Sequence, residues 1–573
     1  MATSHLPPTA PCPRRLLSSK LRGRVGVVDA VIRGFRRVNF EVDGSRPGLG
    51  TSLGVLRGSH VMAVSAKSRC NSRENPGPLG VLSPGENGRL RLVDNPDICM
   101  GEMNDFEKQL EELFFNVKTM IKMGQKGDAI ELLQANYEAV KEQMENGTRD
   151  IEQAALLDII ALGYMAAGDF AAVEHILRVL NEIMSYISSG QPLVDSILIH
   201  MGNMYANLGK LEDAEHAYGK GLQTLEHLFG SDSPFLVMPL LGVAKVFKLT
   251  GRITEAIEAY GRSITILEAS RGPITEDLVL PLFGLGNLFI GEGQATDAEI
   301  SFSRILSIYK QLYGENDGRV GISMCYLAHA NCAEGNIDEA IHLYKKGLQI
   351  IKDSGYMALH DDVVEKMKID LSELLHVAGR EHEGRELLEE CLLVTEKYKG
   401  SEDPSSVAHL VNLATSYSRS KNFVEAERLL RTSLQILSRA GGSKDHAITV
   451  PMLHLAVVLY HLNRDEEAER LALEALSLRE AVFGKRSLPV GEALDCLISI
   501  QTRLGKDDSK ITSHLKRVLT IQEEAFGFES EEVMSTLKKL IFYLDKMGKK
   551  DEKLPLQRRL STLTTKHRYA VPY

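Results

Sequence analysis

The chain has 573 residues, of which 43% are hydrophobic and 25% are charged, and this composition is that of a soluble globular protein with a large core. No uninterrupted apolar run reaches the roughly 18 residues that a membrane span needs, so no transmembrane segment is predicted. Seven cysteines at irregular spacing, with no Cys-x-x-Cys, exclude a disulfide framework and indicate a reducing compartment.

The net charge of −10 conceals a basic N-terminus. Residues 1–70 hold 12 basic and only three acidic residues, are rich in Gly, Ser, Pro and Val, and lack the apolar block of a secretory signal. We therefore predict a disordered transit peptide over residues 1–70, with removal near Ala66. Its opening Met1-Ala2-Thr3-Ser4 resembles plant plastid presequences, so the expected location is the chloroplast. A mitochondrial presequence and an uncleaved basic tail of a cytoplasmic protein are the alternatives.

Three further segments follow in the chain. Residues 71–103 contain Pro and Gly at short intervals and are predicted to be a linker. Residues 104–567 are predicted to form a repeat array, and residues 568–573 a C-terminal tail.

The array is recognised by a glycine-led motif that recurs at a fixed interval. Four copies lie 42 residues apart, and they begin at Gly209, Gly251, Gly293 and Gly335. The same slot extends backward to Gly124 and forward to Gly548 at intervals of 41 to 44 residues, which makes eleven units.

Turn residues divide each unit into two helices. A second glycine series, including Gly230, Gly272 and Gly314, lies half a period from the first, and several members precede a proline. Glycine ends a helix in the left-handed conformation, and proline is accepted only in a helix's first turn. Each unit is therefore predicted to be a helical hairpin, and the fold to be all-α.

Small and aromatic residues alternate in phase inside the hairpins. In first helices a large and a small residue precede an aromatic one, as in Met201-Gly202 with Tyr205. In second helices Ala214 lies four residues before Tyr218, on the same helix face. The small residue is expected to admit the partner helix, and the aromatic ring to fill the space beside it.

These signatures resemble the tetratricopeptide repeat, and the 42-residue period is similar to that of the kinesin-light-chain subgroup. The resemblance implies a right-handed superhelical solenoid of about eleven hairpins, with a concave groove lined by first helices that binds a protein or peptide client. No heptad coiled coil precedes the array, and the subgroup's paired asparagines are mostly missing, so motor binding is not expected. A cytosolic cargo adaptor of this subgroup remains an alternative.

Polar residues of the first helices are the candidate partner-binding residues of the groove. They are Asn203, Asn207, Lys245, Lys248, Asn287, His329, Glu373 and Arg419. Clamps for acidic chaperone tails place a lysine four residues before a first-helix asparagine, but Ile199 and Phe283 stand there in this chain. With Leu241 and Ile290 also apolar, we expect a client segment anchored by apolar residues.

Three clusters with the residue types of chemical sites are weighed against their structural roles. Cys325, His329 and Cys332 share one helix face but lack a fourth zinc ligand nearby. The glycines of 284–291 fall where the repeat needs small residues, and His360-Asp361-Asp362 falls in a turn between units. We therefore predict no catalytic residue, no metal and no cofactor.

RNA binding is the rival to protein binding, because organelles use helical-hairpin arrays to hold single strands. Such arrays need basic grooves, whereas residues 101–573 carry 52 basic against 70 acidic residues. Nucleic acid is therefore not the expected partner, and neither a membrane span nor a small-molecule substrate is predicted. The chain is expected to be a non-enzymatic protein–protein interaction scaffold that supports the assembly or biogenesis of a protein complex in the chloroplast.

Overall fold

The computed structural model describes residues 96–569, apart from 146, 148, 189, 192, 359–360 and 441–445. This part of the chain contains 22 α-helices in consecutive packed pairs and no strand, which confirms the predicted all-α solenoid of eleven hairpins. The predicted transit peptide (1–70) and residues 71–95 of the predicted linker lie outside the described residues.

The helices are numbered in chain order, so that odd numbers are the first helices of hairpins and even numbers the second. The first five hairpins are α1 (Pro96–Lys122), α2 (Lys126–Glu145), α3 (Ile151–Ala167), α4 (Phe170–Met184), α5 (Val194–Asn207), α6 (Leu211–Phe229), α7 (Val237–Leu249), α8 (Ile253–Arg271), α9 (Val279–Gly291) and α10 (Ala295–Tyr313).

The remaining six hairpins are α11 (Gly318–Glu334), α12 (Ile337–Ser354), α13 (Asp362–Val377), α14 (Glu381–Lys399), α15 (Ser406–Arg419), α16 (Phe423–Ala440), α17 (Thr449–His461), α18 (Asp465–Phe483), α19 (Leu488–Arg503), α20 (Asp508–Phe526), α21 (Glu531–Lys546) and α22 (Lys550–Tyr569). The described residues fall into two compact units, one of residues 96–315 with 329–334 and one of residues 316–328 with 335–569.

Both ends of the array differ from the predicted boundaries. Helix α1 begins at Pro96, inside the predicted linker 71–103, because proline is accepted at the first position of a helix and need not exclude one. Leu110 and Phe114 of α1 are buried. At the other end α22 continues to Tyr569, two residues into the predicted tail 568–573.

The turn inside each hairpin, here called the hinge, requires a left-handed residue. Gly168 adopts φ 75° there, and Gly209 φ 74°, as the glycine series predicts. Two hinges use other residues, Lys421 at φ 65° and Asn463 at φ 61°. The hinge geometry is therefore kept even where glycine is absent.

The packing between helices is set by aromatic rings against glycines. Tyr218 of α6 is 1% exposed, and its ring lies against Gly202 of its own hairpin and Gly242 of the next. A Cβ atom at Gly202 would stand 2.7 Å from the ring, and one at Gly242 only 2.3 Å from it. The contact between hairpins recurs one repeat later, where Gly284 faces Tyr260. Small residues thus control both the spacing within a hairpin and the spacing between hairpins.

Ion pairs link second helices of consecutive hairpins at a repeating distance along the chain. Arg262 donates to Glu226 at 2.6 Å and Arg431 to Glu467 at 2.8 Å, each pair joining residues 36 positions apart. Their side chains are between 24% and 43% exposed. Because such exposed pairs contribute only about 0–1 kcal/mol, they favour one register of the hairpins more than they stabilise the fold.

The packing of Tyr218 leads to a test with two glycines that differ only in their surroundings. Both Gly242 in α7 and Gly261 in α8 are helical, but a Cβ at Gly261 would meet nothing within 4 Å. We expect Gly242→Ala to lower the free energy of unfolding by about 1–3 kcal/mol, because the Tyr218 ring must move. Gly261→Ala should raise it by about 0.5–1 kcal/mol through helix propensity. Urea denaturation followed by circular dichroism measures both, and equal shifts would contradict the packing assignment.

Candidate partner-binding face of the first helices

Three of the predicted binding residues occupy one structural slot on consecutive first helices. Asn203, Lys245 and Asn287 each lie six residues before a hinge glycine, on α5, α7 and α9. These helices contact one another in that order, and all three side chains are half-buried. The structure therefore places this part of the predicted set in a single row.

Asn203 has a role inside the hairpin that the sequence did not reveal. The Tyr218 hydroxyl donates to Asn203 Oδ1 at 2.7 Å. Burial raises the pKa of Tyr218 well above its ordinary value, so the hydroxyl remains a donor. Loss of the Asn203 carbonyl would leave a buried hydroxyl without this acceptor, at a cost of about 1–3 kcal/mol. Asn203 is consequently part of the packing between α5 and α6.

An apolar surface lies beside this row on α7 and α9. We define the α7–α9 face as Met238 and Leu241 of α7 with Leu280 and Phe283 of α9. Leu280 is 50% exposed and the other three are half-buried. Within each helix the two residues are three positions apart and share a side with the polar residue four positions on. The face is therefore apolar at its centre, with Lys245 and Asn287 at its margin.

Two of the predicted apolar slots do not contribute to this face. Ile290 is only 4% exposed and Ile199 only 1% exposed. Both side chains are part of the core, so a client could not contact them without opening the packing. Met238 and Leu280 are accessible instead, which the sequence does not reveal because periodicity alone does not distinguish an exposed apolar residue from a buried one.

The other predicted residues have different surroundings. Asn207 is exposed at the end of α5, and Lys248 is half-buried in the last turn of α7. Glu373 of α13 and Arg419 of α15 form a two-pronged ion pair with both nitrogen–oxygen distances at 2.7 Å. His329 is half-buried on α11. Glu373 and Arg419 thus neutralise one another and link two first helices.

The structure assigns packing or capping roles to the clusters with the residue types of chemical sites. Cys325 and Cys332 are buried free cysteines, and burial raises the pKa of the Cys325 thiol well above its ordinary value. Gly284 lies against the ring of Tyr260. Asp361 accepts from the Val363 backbone N–H at 2.9 Å and caps α13, while His360 is outside the described residues. Within the residues that the structure describes, no group of three or more potential metal ligands is assembled.

A buried ion pair joins α3 to α5, next to the slot of Asn203. His200 Nδ1 lies 2.6 Å from Asp158 Oδ2, and the two residues are 0% and 3% exposed. Burial alone would lower the pKa of His200, but the charge and hydrogen bond of Asp158, together with Asp195, raise it. Burial raises the pKa of Asp158 although His200 opposes the shift. The pair is closed to solvent and acts in packing.

Comparison with known proteins identifies the repeats. The family model described as Tetratricopeptide repeat matches residues 193–269, 278–353, 364–439 and 405–481, so these stretches are tetratricopeptide repeats. No curated protein sequence matched the chain. Among the helices of the described part of the chain, none combines the length and apolar character needed to span a bilayer.

Several solved structures align with parts of the chain. TPR-like repeats of a chain assigned as a kinesin light chain from Podosopora anserina are 21% identical, with 37% of this chain and 99% of that one covered and a TM-score of 0.34. BtubC (BKLC) from P. vanneervenii is 19% identical, covering 41% and 91%, with a TM-score of 0.35. The apo quorum sensor NprR from B. thuringiensis is 15% identical, covering 64% and 97%, with a TM-score of 0.40.

The buried pair predicts a defined pattern of stability changes. His200→Ala leaves the Asp158 carboxylate unpaired and should cost about 3–5 kcal/mol. The double variant Asp158→Leu/His200→Leu should cost much less, because no charge remains buried and most other repeats carry an apolar residue at the Asp158 slot. Denaturant midpoints measure both. A single variant as stable as the double variant would contradict the pairing.

The same pair predicts the sign of a pH effect. Because the folded pKa of His200 is raised above its ordinary 6.5, its contribution is complete below about pH 6.5 and is lost as pH rises through the folded pKa. The raised pKa of Asp158 acts in the same direction above its ordinary 3.8. Wild-type protein should therefore lose more stability between pH 6.5 and 8.5 than the double variant, and parallel pH profiles would refute this.

Proposed function

We propose that this protein is a non-enzymatic scaffold that binds other proteins through the α7–α9 face. The observation that carries the proposal is the exposure of Leu280, 50% of whose surface is open on a first helix beside three half-buried apolar residues. Exposed apolar groups that adjoin one another and are bordered by polar groups are typical of protein-binding surfaces. The tetratricopeptide assignment supports the same role, because such repeats hold their partners on repeated helix faces.

The chemistry of this face defines the client that it would accept. Apolar side chains of an extended or helical segment would contact Leu241, Leu280 and Phe283, and Lys245 would hold one acidic side chain. Asn287 can donate and accept hydrogen bonds at the margin. A client with an array of acidic residues fits poorly, because no second lysine accompanies Lys245 in its row.

We also propose that the protein works in the plastid, where it supports the assembly or biogenesis of a protein complex. The proposal is supported by the N-terminal 70 residues, with 12 basic and three acidic residues and no secretory apolar block. A mitochondrial or cytoplasmic location is the alternative outcome of the targeting experiment below.

The binding face is tested with charge substitutions at exposed leucine and isoleucine residues. Leu280→Asp combined with Lys245→Ala should weaken client capture by about 2–4 kcal/mol, since a few central residues dominate such interfaces. Ile300→Asp is the matched control, because Ile300 is 65% exposed on α10, the second helix of the same hairpin. Quantitative pull-down from nuclease-treated extracts compares the wild type, the double variant and the control. Circular dichroism checks that all three are folded.

The outcome separates the α7–α9 face from other surfaces. Equal capture by wild type and by the Leu280→Asp/Lys245→Ala variant would place the binding surface elsewhere. Clients that disappear on nuclease treatment would favour RNA binding. Asn203 is left unchanged because its contact with Tyr218 would confound binding with stability.

The targeting proposal has a direct test. Residues 1–70 fused to a fluorescent protein should direct it to plastids, with removal of the segment near Ala66. A matched fusion in which the arginines of this segment are replaced by glutamine should stay in the cytosol, because transit peptides depend on their basic character. Microscopy and N-terminal sequencing provide the measurements, and a cytosolic or mitochondrial signal from the unaltered fusion rejects the plastid assignment.

A further inference from the structure

At one position of the repeat, the seventh hairpin differs from the other ten. The residue eleven positions before the hinge is leucine or methionine in every other hairpin, and nine of those ten side chains are buried. In the seventh hairpin the residue is Lys368, whose side chain is only 8% exposed. A lysine is rarely buried without a specific partner, so this replacement changes the chemistry of an interior position.

A cavity of about 460 Å³ lies at this position, between α12, α13 and α14. Its volume is within the range of about 300–1,000 Å³ that is usual for small-molecule sites. Lys368 lines it together with six apolar residues: Leu348, Ile351, Val364, Leu371, Leu375 and Leu387. Four of these side chains are no more than 2% exposed. The hinge-to-hinge interval here is 44 residues, against 42 for the three preceding hairpins.

The two hairpins that form the cavity carry opposite charges to those at the junction of the third and fourth hairpins. There, Glu226 is on the second helix of the third hairpin and Arg262 is on the second helix of the fourth, and the two form a 2.6 Å ion pair. The corresponding positions at the cavity are Lys352 and Glu390. Instead of pairing with Lys352, Glu390 accepts from Lys368 Nζ at 3.0 Å.

Three lysines and three glutamates line the cavity, and one of these lysines has no carboxylate partner in the described part of the chain. Lys345 pairs with Glu383 at 2.7 Å, His382 lies 3.3 Å from Glu386, and Lys368 pairs with Glu390. Among the described residues, no carboxylate lies within 4.0 Å of Lys352 Nζ, which also lines the cavity. Glu383 and Glu390 are therefore each paired with a lysine, whereas no carboxylate of the described residues is paired with Lys352.

The ammonium of Lys368 retains capacity for a second acceptor. An ammonium group has three N–H donors, and Glu390 is the one carboxylate within 4.0 Å of Lys368 Nζ in the part of the chain that the structure describes. Burial raises the pKa of the neighbouring Cys391 thiol to about 12, although Lys368 opposes the shift, so these surroundings are poorly hydrated. An added carboxylate would be attracted strongly in such a medium.

We propose that this cavity binds a small apolar molecule that carries a single carboxylate. The apolar body would lie among the leucine, isoleucine and valine side chains, where burial removes it from water. The carboxylate would accept from Lys368 and Lys352. The proposal does not depend on the α7–α9 face, since none of the cavity residues belongs to α7 or α9.

Isothermal titration of the full-length protein with three eight-carbon compounds tests the charge requirement. Octanoate should bind saturably at one site, 1-octanol at least tenfold more weakly, and octylammonium not at all, because only the carboxylate complements Lys352 and Lys368. Absence of saturable octanoate binding, or equal binding of octanoate and octanol, would overturn the proposal.

Three lysine variants locate the site. Lys368→Leu installs the residue type of the other repeats and should abolish octanoate binding while the protein stays folded by circular dichroism. Lys352→Met should weaken binding about tenfold. Lys346→Met is the matched control, because this exposed lysine is on α12 but does not line the cavity, and it should bind as wild type does. Undiminished binding by Lys368→Leu would show that octanoate binds elsewhere and would refute the assignment.

Discussion

The approach of an aromatic ring on a second helix to glycines on two first helices determines the geometry of the hairpins. Tyr218 touches Gly202 within its hairpin and Gly242 of the next one, and no room remains for a Cβ at either position. Close packing of this kind resists expansion, because overpacking forces side chains off their rotamers. One repeat later, Tyr260 packs against Gly284 of the next hairpin in the same way as Tyr218 packs against Gly242.

This packing also decides which first-helix residues remain available for a partner. The Tyr218 hydroxyl donates to Asn203, so this half-buried residue of the row is held in the packing of its own hairpin. The next two members of that row, Lys245 and Asn287, are beside exposed or half-buried apolar side chains. A partner would therefore encounter an apolar centre and a sparsely charged margin, which favours hydrophobic anchoring over a carboxylate clamp.

The ion pairs of the array fall into an exposed class and a buried class. Exposed pairs such as Arg431–Glu467 recur between second helices and are screened by solvent, so their role is mainly to favour one register. Buried charges are few and specific. Asp158 and Lys368 each stand in a slot that is apolar in most other repeats, and burial makes each strongly dependent on its partner, His200 or Glu390. The second pair adjoins a cavity.

The repeat could be predicted from the sequence because the features that define it lie within single helices and turns. The 42-residue interval, the hinge glycines and the Ala214–Tyr218 spacing follow from helix geometry, and these features predicted eleven hairpins and the class of repeat. Exposure and pairing could not be predicted from the sequence, because they depend on residues 15 to 46 positions apart that meet only when the helices pack. The burial of Ile290, the use of Asn203 by Tyr218 and the pairing of Glu373 with Arg419 are of this kind. The sequence shows that Lys368 replaces a leucine or methionine of the repeat. Only the structure shows that this lysine lines a cavity between three helices.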